Sequence, residues 1–175
     1  TSHLLKMGDI DAEITFHTRH RTTLSGIEEA SNVLNKLGAE ITLQEPEGSI
    51  HEFGEMVLKA TGNAAALHSG WRVALNLIEY ASGIATRTTR LVETAREVRD
   101  VTICGTRKAF PGARRLSQQA LLAGGGIPHR MGLGETVLIF SNHYELIGFD
   151  ELLNRLPTIK KQALEKKIGI EVTTC

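Results

Sequence analysis

From residue 101 onward the sequence alternates between short apolar runs and amphipathic stretches. Apolar runs fall at 101–104, 136–140 and 167–172, with helical patterns between them at 113–123 and 149–165. Strand, helix, strand units of this kind pair their strands in parallel, because the helix carries the chain back to the edge where the first strand began. This half of the chain is thereby directed toward a doubly wound sheet or a (β/α) barrel. A long helical segment is expected just before it, over 68–96, interrupted near Ser82 and Gly83. The earlier part reads differently. Residues 12–17, "AEITFH", alternate apolar and polar as a half-solvated strand does. In "SGIEEASNVLNKLGAE" apolar residues recur three and four apart, Ser25 can cap the helix and Gly38 can stop it. Strand-like pieces at 39–43 and 56–60 flank a polar turn around Pro46 to Ser49, so the first sixty or so residues form a small α+β unit.

The polar residues have a positional logic. The run "VTICGTRKAFPG" reads as a buried strand that leads into Thr106, Arg107 and Lys108 and then turns at Phe110, Pro111 and Gly112. The next helix is followed by Gly124, Gly125 and Gly126 and then by Pro128, His129 and Arg130; the strand over 136–140 leads to Asn142 and His143; the last strand carries Glu171. In parallel α/β folds the groups that do chemistry gather at the carboxyl ends of strands. Arg107 and Arg130 offer planar forks for carboxylate or phosphate, Lys108 a compact charge, and His129 and His143 groups that donate or accept, so one reading is a shared pocket for a polyanion. The other reading is a set of solvated loops. The glycine triplet serves equally as a helix end and tight turn. His17 and His20 are either a pair of metal ligands or surface residues, Cys104 reads as a small core residue, and Trp71 as packing or an interface anchor.

Composition removes several classes. Lys plus Arg and Asp plus Glu both number 20, and aromatic residues make up 5%, which disfavours a nucleic-acid module. No apolar run approaches a membrane span and no signal peptide is evident; the two cysteines, Cys104 and Cys175, form no C-x-x-C pair, as expected in a reducing cytoplasm. At 175 residues and 41% hydrophobic, the chain can bury the core of one domain or two small ones. There is no G-x-S-x-G elbow, Walker loop or dinucleotide fingerprint. The chain opens on Thr1 and closes at "KIGIEVTTC" as a strand finishes, so both termini are expected to be truncated.

Taken together and in order, "RVALNLIEYASGIATRT", "TRKAFPGARRL", "GGGIPHRMGL" and the Asn142-His143 pair resemble the quinolinate phosphoribosyltransferase family, the nicotinate-nucleotide pyrophosphorylases, and within it the ModD branch associated with molybdenum transport. The resemblance spans almost the whole chain. It implies an N-terminal α/β sandwich over 1–65 and the first part of an open TIM-like α/β barrel over 66–175, in a homodimer or higher homo-oligomer whose active site takes residues from both subunits. It implies transfer of phosphoribosyl from phosphoribosyl pyrophosphate (PRPP) to quinolinate or a related aromatic carboxylate, with Mg2+ as cofactor. Carried over by position, Arg72, Thr106, Arg107, Lys108, His129 and Arg130 would bind substrate, Lys108 and Glu171 would act in catalysis, and Glu171 would face the ribose or its metal. An accessory protein of molybdenum transport that binds an anion or metabolite without turnover is the alternative. The sequence departs from the family pattern at Trp71, where the family has Glu, at Gly105, where it has an acidic residue, at Ala109, where it has Thr, and at Phe140, where it has Lys.

Overall fold

The computed structural model describes residues 6–132 and 134–172, which divide into two compact units, residues up to 129 and residues from 130. In the first unit β1 (Asp11–His17), β3 (Glu40–Gln44) and β5 (Met56–Asn63) form an antiparallel sheet in the order β1-β5-β3, with Ala60 of β5 facing Ile14 on one side and Ile41 on the other. A two-residue ribbon pairs β2 (Thr22–Thr23) with β4 (Ile50–His51). Helices α1 (Ile27–Lys36) and α2 (Ala64–Val98) cover the sheet, and Phe16, Leu24, Ile27, Leu34, Leu58, Leu67 and Ile78 form the core between these layers.

The start of α1 is built differently from the sequence expectation. The Ser25 hydroxyl is buried without a partner, and Gly26, at φ +79°, occupies the cap position. The orphan amide of Ile27 donates instead to Glu47 Oε1 at 2.8 Å, a carboxylate delivered by the polar turn twenty residues later. A negative oxygen at a helix start satisfies the free N–H and complements the helix dipole. Glu47→Ala is therefore expected to cost about 1 kcal/mol of stability, read as a lower urea midpoint at unchanged slope. An unchanged midpoint would mean that water serves the Ile27 amide equally well.

The expected interruption in α2 is absent. The helix runs unbroken through Ser82 and Gly83, because Ser82 is recruited by packing: its hydroxyl accepts from Ser25 N and donates to Ser25 O, both at 3.0 Å. One turn later Thr86 Oγ1 accepts from Thr23 N at 2.9 Å, so the helix side supplies the bonds that an adjacent strand would give the 23–25 segment. A glycine such as Gly83 costs about 1 kcal/mol in a helix, which tertiary contacts of this kind outweigh. At its start, α2 is capped by Asn63 Oδ1, which accepts from Ala65 N at 2.9 Å.

Beyond α2, β6 (Cys104–Gly105), α3 (Arg114–Ala123) and β7 (Ile127–Pro128) make a parallel strand, helix, strand unit. The strand expected over 101–104 is shorter and shifted. It is not buried either: Val101 is 46% exposed and Cys104 is exposed rather than in the core, because among the described elements β6 pairs with β7 alone. Strand β7 was not legible as one, since a two-residue pairing carries no periodicity. Small residues let α3 lie close to α2 through Ala81, Ala85 and Ala120.

The second unit has β8 (Thr136–Ile139), α4 (Ser141–Ile147), α5 (Phe149–Gln162) and β9 (Lys167–Ile170). Strands β8 and β9 are parallel, with Ile139 opposite Ile170, and Ile139 and Leu152 are buried. Helix α4 was not expected: Asn142 and His143, read from sequence as the end of a strand, lie in its first turn.

Candidate functional site

In the first unit, parallel pairing of β6 with β7 places the carboxyl ends of both strands at one edge. The pairing runs past the strands proper, as His129 N donates to Gly105 O at 3.0 Å. His129 is thereby set beside the loop that carries Thr106, Arg107 and Lys108. That loop is closed by local bonds: Lys108 N donates to Thr106 Oγ1 at 3.3 Å and Ala109 N to Arg107 O at 2.9 Å. Thr106, Arg107, Lys108 and His129 are all exposed, and the ion pairs among the described residues include none of them. The charges of Arg107 and Lys108 are consequently available to an anion. Gly105 lies under α3: a Cβ there would stand 2.4 Å from Leu121 Cδ2, so a side chain at this position would require the Leu121 side chain to move.

Arg72 is not at that edge. It lies on α2, about 13 Å along the helix axis before Ala81, where α3 packs, and its guanidinium carbon sits 4.0 Å from the centroid of the Trp71 ring. Trp71 in turn packs on the core and lines a cavity of about 520 Å3 with Phe16, His17, Leu75, Ile78 and Glu79; Arg72, Thr106, Arg107, Lys108 and His129 are not among its lining residues. His17 and His20 are exposed, His17 Nδ1 bonds to Gly54 O at 3.0 Å, and among the described residues no three His, Cys, Asp or Glu side chains form a metal-binding group.

In the second unit the carboxyl ends of β8 and β9 are joined. Glu171 N donates to Ile139 O at 2.8 Å, and the Glu171 carboxylate accepts from Ser141 N at 3.3 Å, at the start of α4. Tyr144 Oη adds a bond to Glu171 O at 3.3 Å. Phe140 and His143 form a stacked pair, with ring centroids 5.8 Å apart and planes 19° from parallel. Phe140 N donates to His143 Nδ1 at 2.9 Å, and in the neutral imidazole this places the proton on Nε2. Arg130 goes elsewhere: Nη1 donates to Thr136 O at 3.4 Å, at the beginning of β8 and so at the end opposite Glu171. Neither the Phe140–His143 stack nor the bond from Ser141 to Glu171 has a signal in the sequence, since both depend on the unforeseen helix α4.

Parallel strand pairs with helices between them define a mixed α/β protein. The chain belongs to the quinolinate phosphoribosyl transferase family, whose N-terminal domain matches residues 1–82 and whose C-terminal domain matches residues 84–175. It is 40% identical over 173 residues to ModD of Rhodobacter capsulatus, covering 98% of this chain and 67% of that protein. To the nicotinate-nucleotide pyrophosphorylase of Mycobacterium leprae it is 32% identical, over 88% of this chain and 55% of the enzyme. The structure of the nicotinate-nucleotide pyrophosphorylase from Francisella tularensis superposes with a TM-score of 0.80 at 31% identity, over 94% of this chain and 59% of that one. The mixed α/β fold is therefore that of these proteins, of whose length this chain spans roughly three fifths. Among the described residues no helix is long and apolar enough to cross a membrane. Cys175 lies outside the described residues.

Proposed function

We propose that the protein is a phosphoribosyltransferase that moves the phosphoribosyl group of PRPP to the ring nitrogen of quinolinate or a related aromatic carboxylate, in the cytoplasm and as a homodimer or higher homo-oligomer. The observation that carries this reading is the edge at the carboxyl ends of β6 and β7, where the cations Arg107 and Lys108, which the described ion pairs leave unneutralised, stand with the polar Thr106 and His129. A donor with a phosphate and a diphosphate, together with an acidic acceptor, needs several cations already in place before binding. The ring nitrogen forms a bond to C1 of the ribose while the bond from C1 to the diphosphate oxygen breaks, and that electron pair leaves with pyrophosphate. With quinolinate, the carboxylate beside the nitrogen then departs as CO2 and a proton takes its place, giving nicotinate mononucleotide.

Each residue has a role in this reading. Arg107 and Lys108 receive the charge that grows on the leaving diphosphate; Thr106 and His129 orient phosphate or carboxylate oxygens; by the family resemblance Arg72 and Arg130 hold the acceptor's carboxylate, for which Arg130 would have to leave Thr136 O. Glu171 stabilises the positive character that develops at C1 as the diphosphate leaves. Mg2+, when bound, neutralises diphosphate charge. In this reading Glu171, whose carboxylate accepts from Ser141 N, would be the acid that holds the ion, with the other oxygens coming from substrate and water.

Pyrophosphate release from PRPP by the complete gene product, with Mg2+ and a panel of quinolinate, nicotinate and other aromatic acids, tests the reading. Release that requires one acceptor establishes the transferase and identifies its substrate. Absence of release with every acceptor would favour the second reading, a ModD-like accessory protein of molybdenum transport that binds an anion or metabolite without turnover. The observation favouring that second reading is the Phe140 ring, stacked on His143 at the end of β8, where the resemblance calls for a lysine.

A further inference from the structure

Trp71 is the only tryptophan of the chain, and it precedes Arg72. Consecutive residues on a helix point about 100° apart, so helix geometry alone does not bring their side chains together. The guanidinium of Arg72 nevertheless folds back to 4.0 Å from the indole centroid. The two groups differ in how they are held. Trp71 is half-buried and packed on the cluster that contains Phe16, Leu67 and Ile78, whereas Arg72 is exposed and its guanidinium lies over the indole.

The kind of contact matters. A guanidinium held by its face keeps its in-plane N–H donors and its charge. A carboxylate partner would occupy those donors and neutralise the charge, and the ion pairs among the described residues leave Arg72 out. The Trp71–Arg72 stack therefore orients a cation without competing for what the cation offers. Ordering a long side chain during folding also spares that entropy at the moment of binding.

We propose that Trp71 is a positioning residue for anion recognition, holding the Arg72 guanidinium by its face so that its N–H edge meets the carboxylate of the aromatic acceptor. The inference rests on the assignment of Arg72 to the acceptor under the proposed function. It makes Trp71 a determinant of acceptor affinity without contact between the indole and the reacting atoms.

Phthalate is a suitable probe, because it carries two adjacent ring carboxylates but no ring nitrogen and so cannot turn over. Calorimetric titration of the full-length protein with phthalate, and separately with PRPP, is compared for the native protein, Trp71→Leu, Trp71→Phe and Arg72→Ala, each checked for native circular dichroism. Trp71→Leu is expected to raise the phthalate Kd about threefold to tenfold and to leave the PRPP Kd unchanged. Trp71→Phe, which keeps an aromatic face, should restore binding to within about twofold of native. Arg72→Ala should raise the phthalate Kd about tenfold and, without ligand, alter Trp71 emission.

Native phthalate binding by Trp71→Leu beside weak binding by Arg72→Ala would overturn the positioning role and leave the Arg72 assignment standing. Native binding by Arg72→Ala would overturn both. Equal losses for phthalate and PRPP in Trp71→Leu would mark a packing role and overturn the proposal, and so would emission unchanged by Arg72→Ala. If the leucine variant does not fold, the Phe variant decides: a phthalate Kd raised beyond about threefold with PRPP binding intact would overturn a role carried by the aromatic face. Failure of the native protein to bind phthalate while PRPP still binds would overturn the acceptor class and this inference together.

Discussion

Replacing Gly26 with alanine is expected to destabilise the protein by about 3 kcal/mol or more, and so to lower the midpoint of thermal unfolding by roughly 6 to 12 °C for a chain of this size. Two effects combine. Gly26 sits at φ +79°, a left-handed conformation that costs a residue with a Cβ about 1 kcal/mol or more. A Cβ there would also stand 2.7 Å from Leu77 O and 2.8 Å from Ala81 Cβ, both on α2, where neither backbone oxygen nor core methyl can withdraw. The 23–25 segment would have to leave α2, and its bonds to Ser82 and Thr86 would be lost with it. Gly83 provides the contrast, since it lies in the same helix, exposed, with open space within 4 Å of the point where a methyl group would stand. Gly83→Ala should stabilise by up to about 1 kcal/mol. Thermal denaturation followed by circular dichroism measures both. A Gly26→Ala midpoint within about 1 °C of native would mean that the entry to α1 can shift freely across α2.

Arg107→Ala should lower PRPP affinity at least about tenfold, equivalent to about 1.4 kcal/mol. The side chain is exposed on a loop whose backbone is closed by its own bonds, and the described ion pairs do not engage it, so its loss removes an anion contact without opening a core. Arg107→Lys keeps the charge and loses the planar fork, and should fall between the two. Arg96→Ala, in the last turn of α2, removes an exposed cation from a different element and should bind as native. Calorimetry at two salt concentrations separates a specific contact from a general field, because screening weakens only the latter strongly. Native affinity for Arg107→Ala would remove the β6–β7 edge as the anion site.

The legible parts of the molecule are those with a long enough pattern. Strand β1, helices α1 and α3, and the alternation that ends in β9 stand close to where periodicity places them, because each buries one face over several residues. The paired pieces of two residues, β6 with β7 and β2 with β4, are too short to carry a period. For the candidate site, the residue types were legible and their company was not. Thr106, Arg107, Lys108 and His129 meet because parallel pairing aligns two strand ends, whereas Arg130 turns to Thr136 at the beginning of β8. Gly105 reads as a gap in an acidic pattern, and the structure shows the Leu121 side chain lying over it.

The sequence by itself determined the α/β class, the parallel order of the later strands and the family, because hydrophobic period and ordered motifs are properties of neighbours along the chain. Tertiary structure alone decided that Glu47 rather than Ser25 serves the start of α1, that α2 passes Ser82 and Gly83 without a break, and that Trp71 faces Arg72. The physical reason is common to all three. A buried amide, hydroxyl or ring takes whichever partner the packed chain brings within a few ångströms, and a partner twenty or sixty residues away leaves no trace in local spacing.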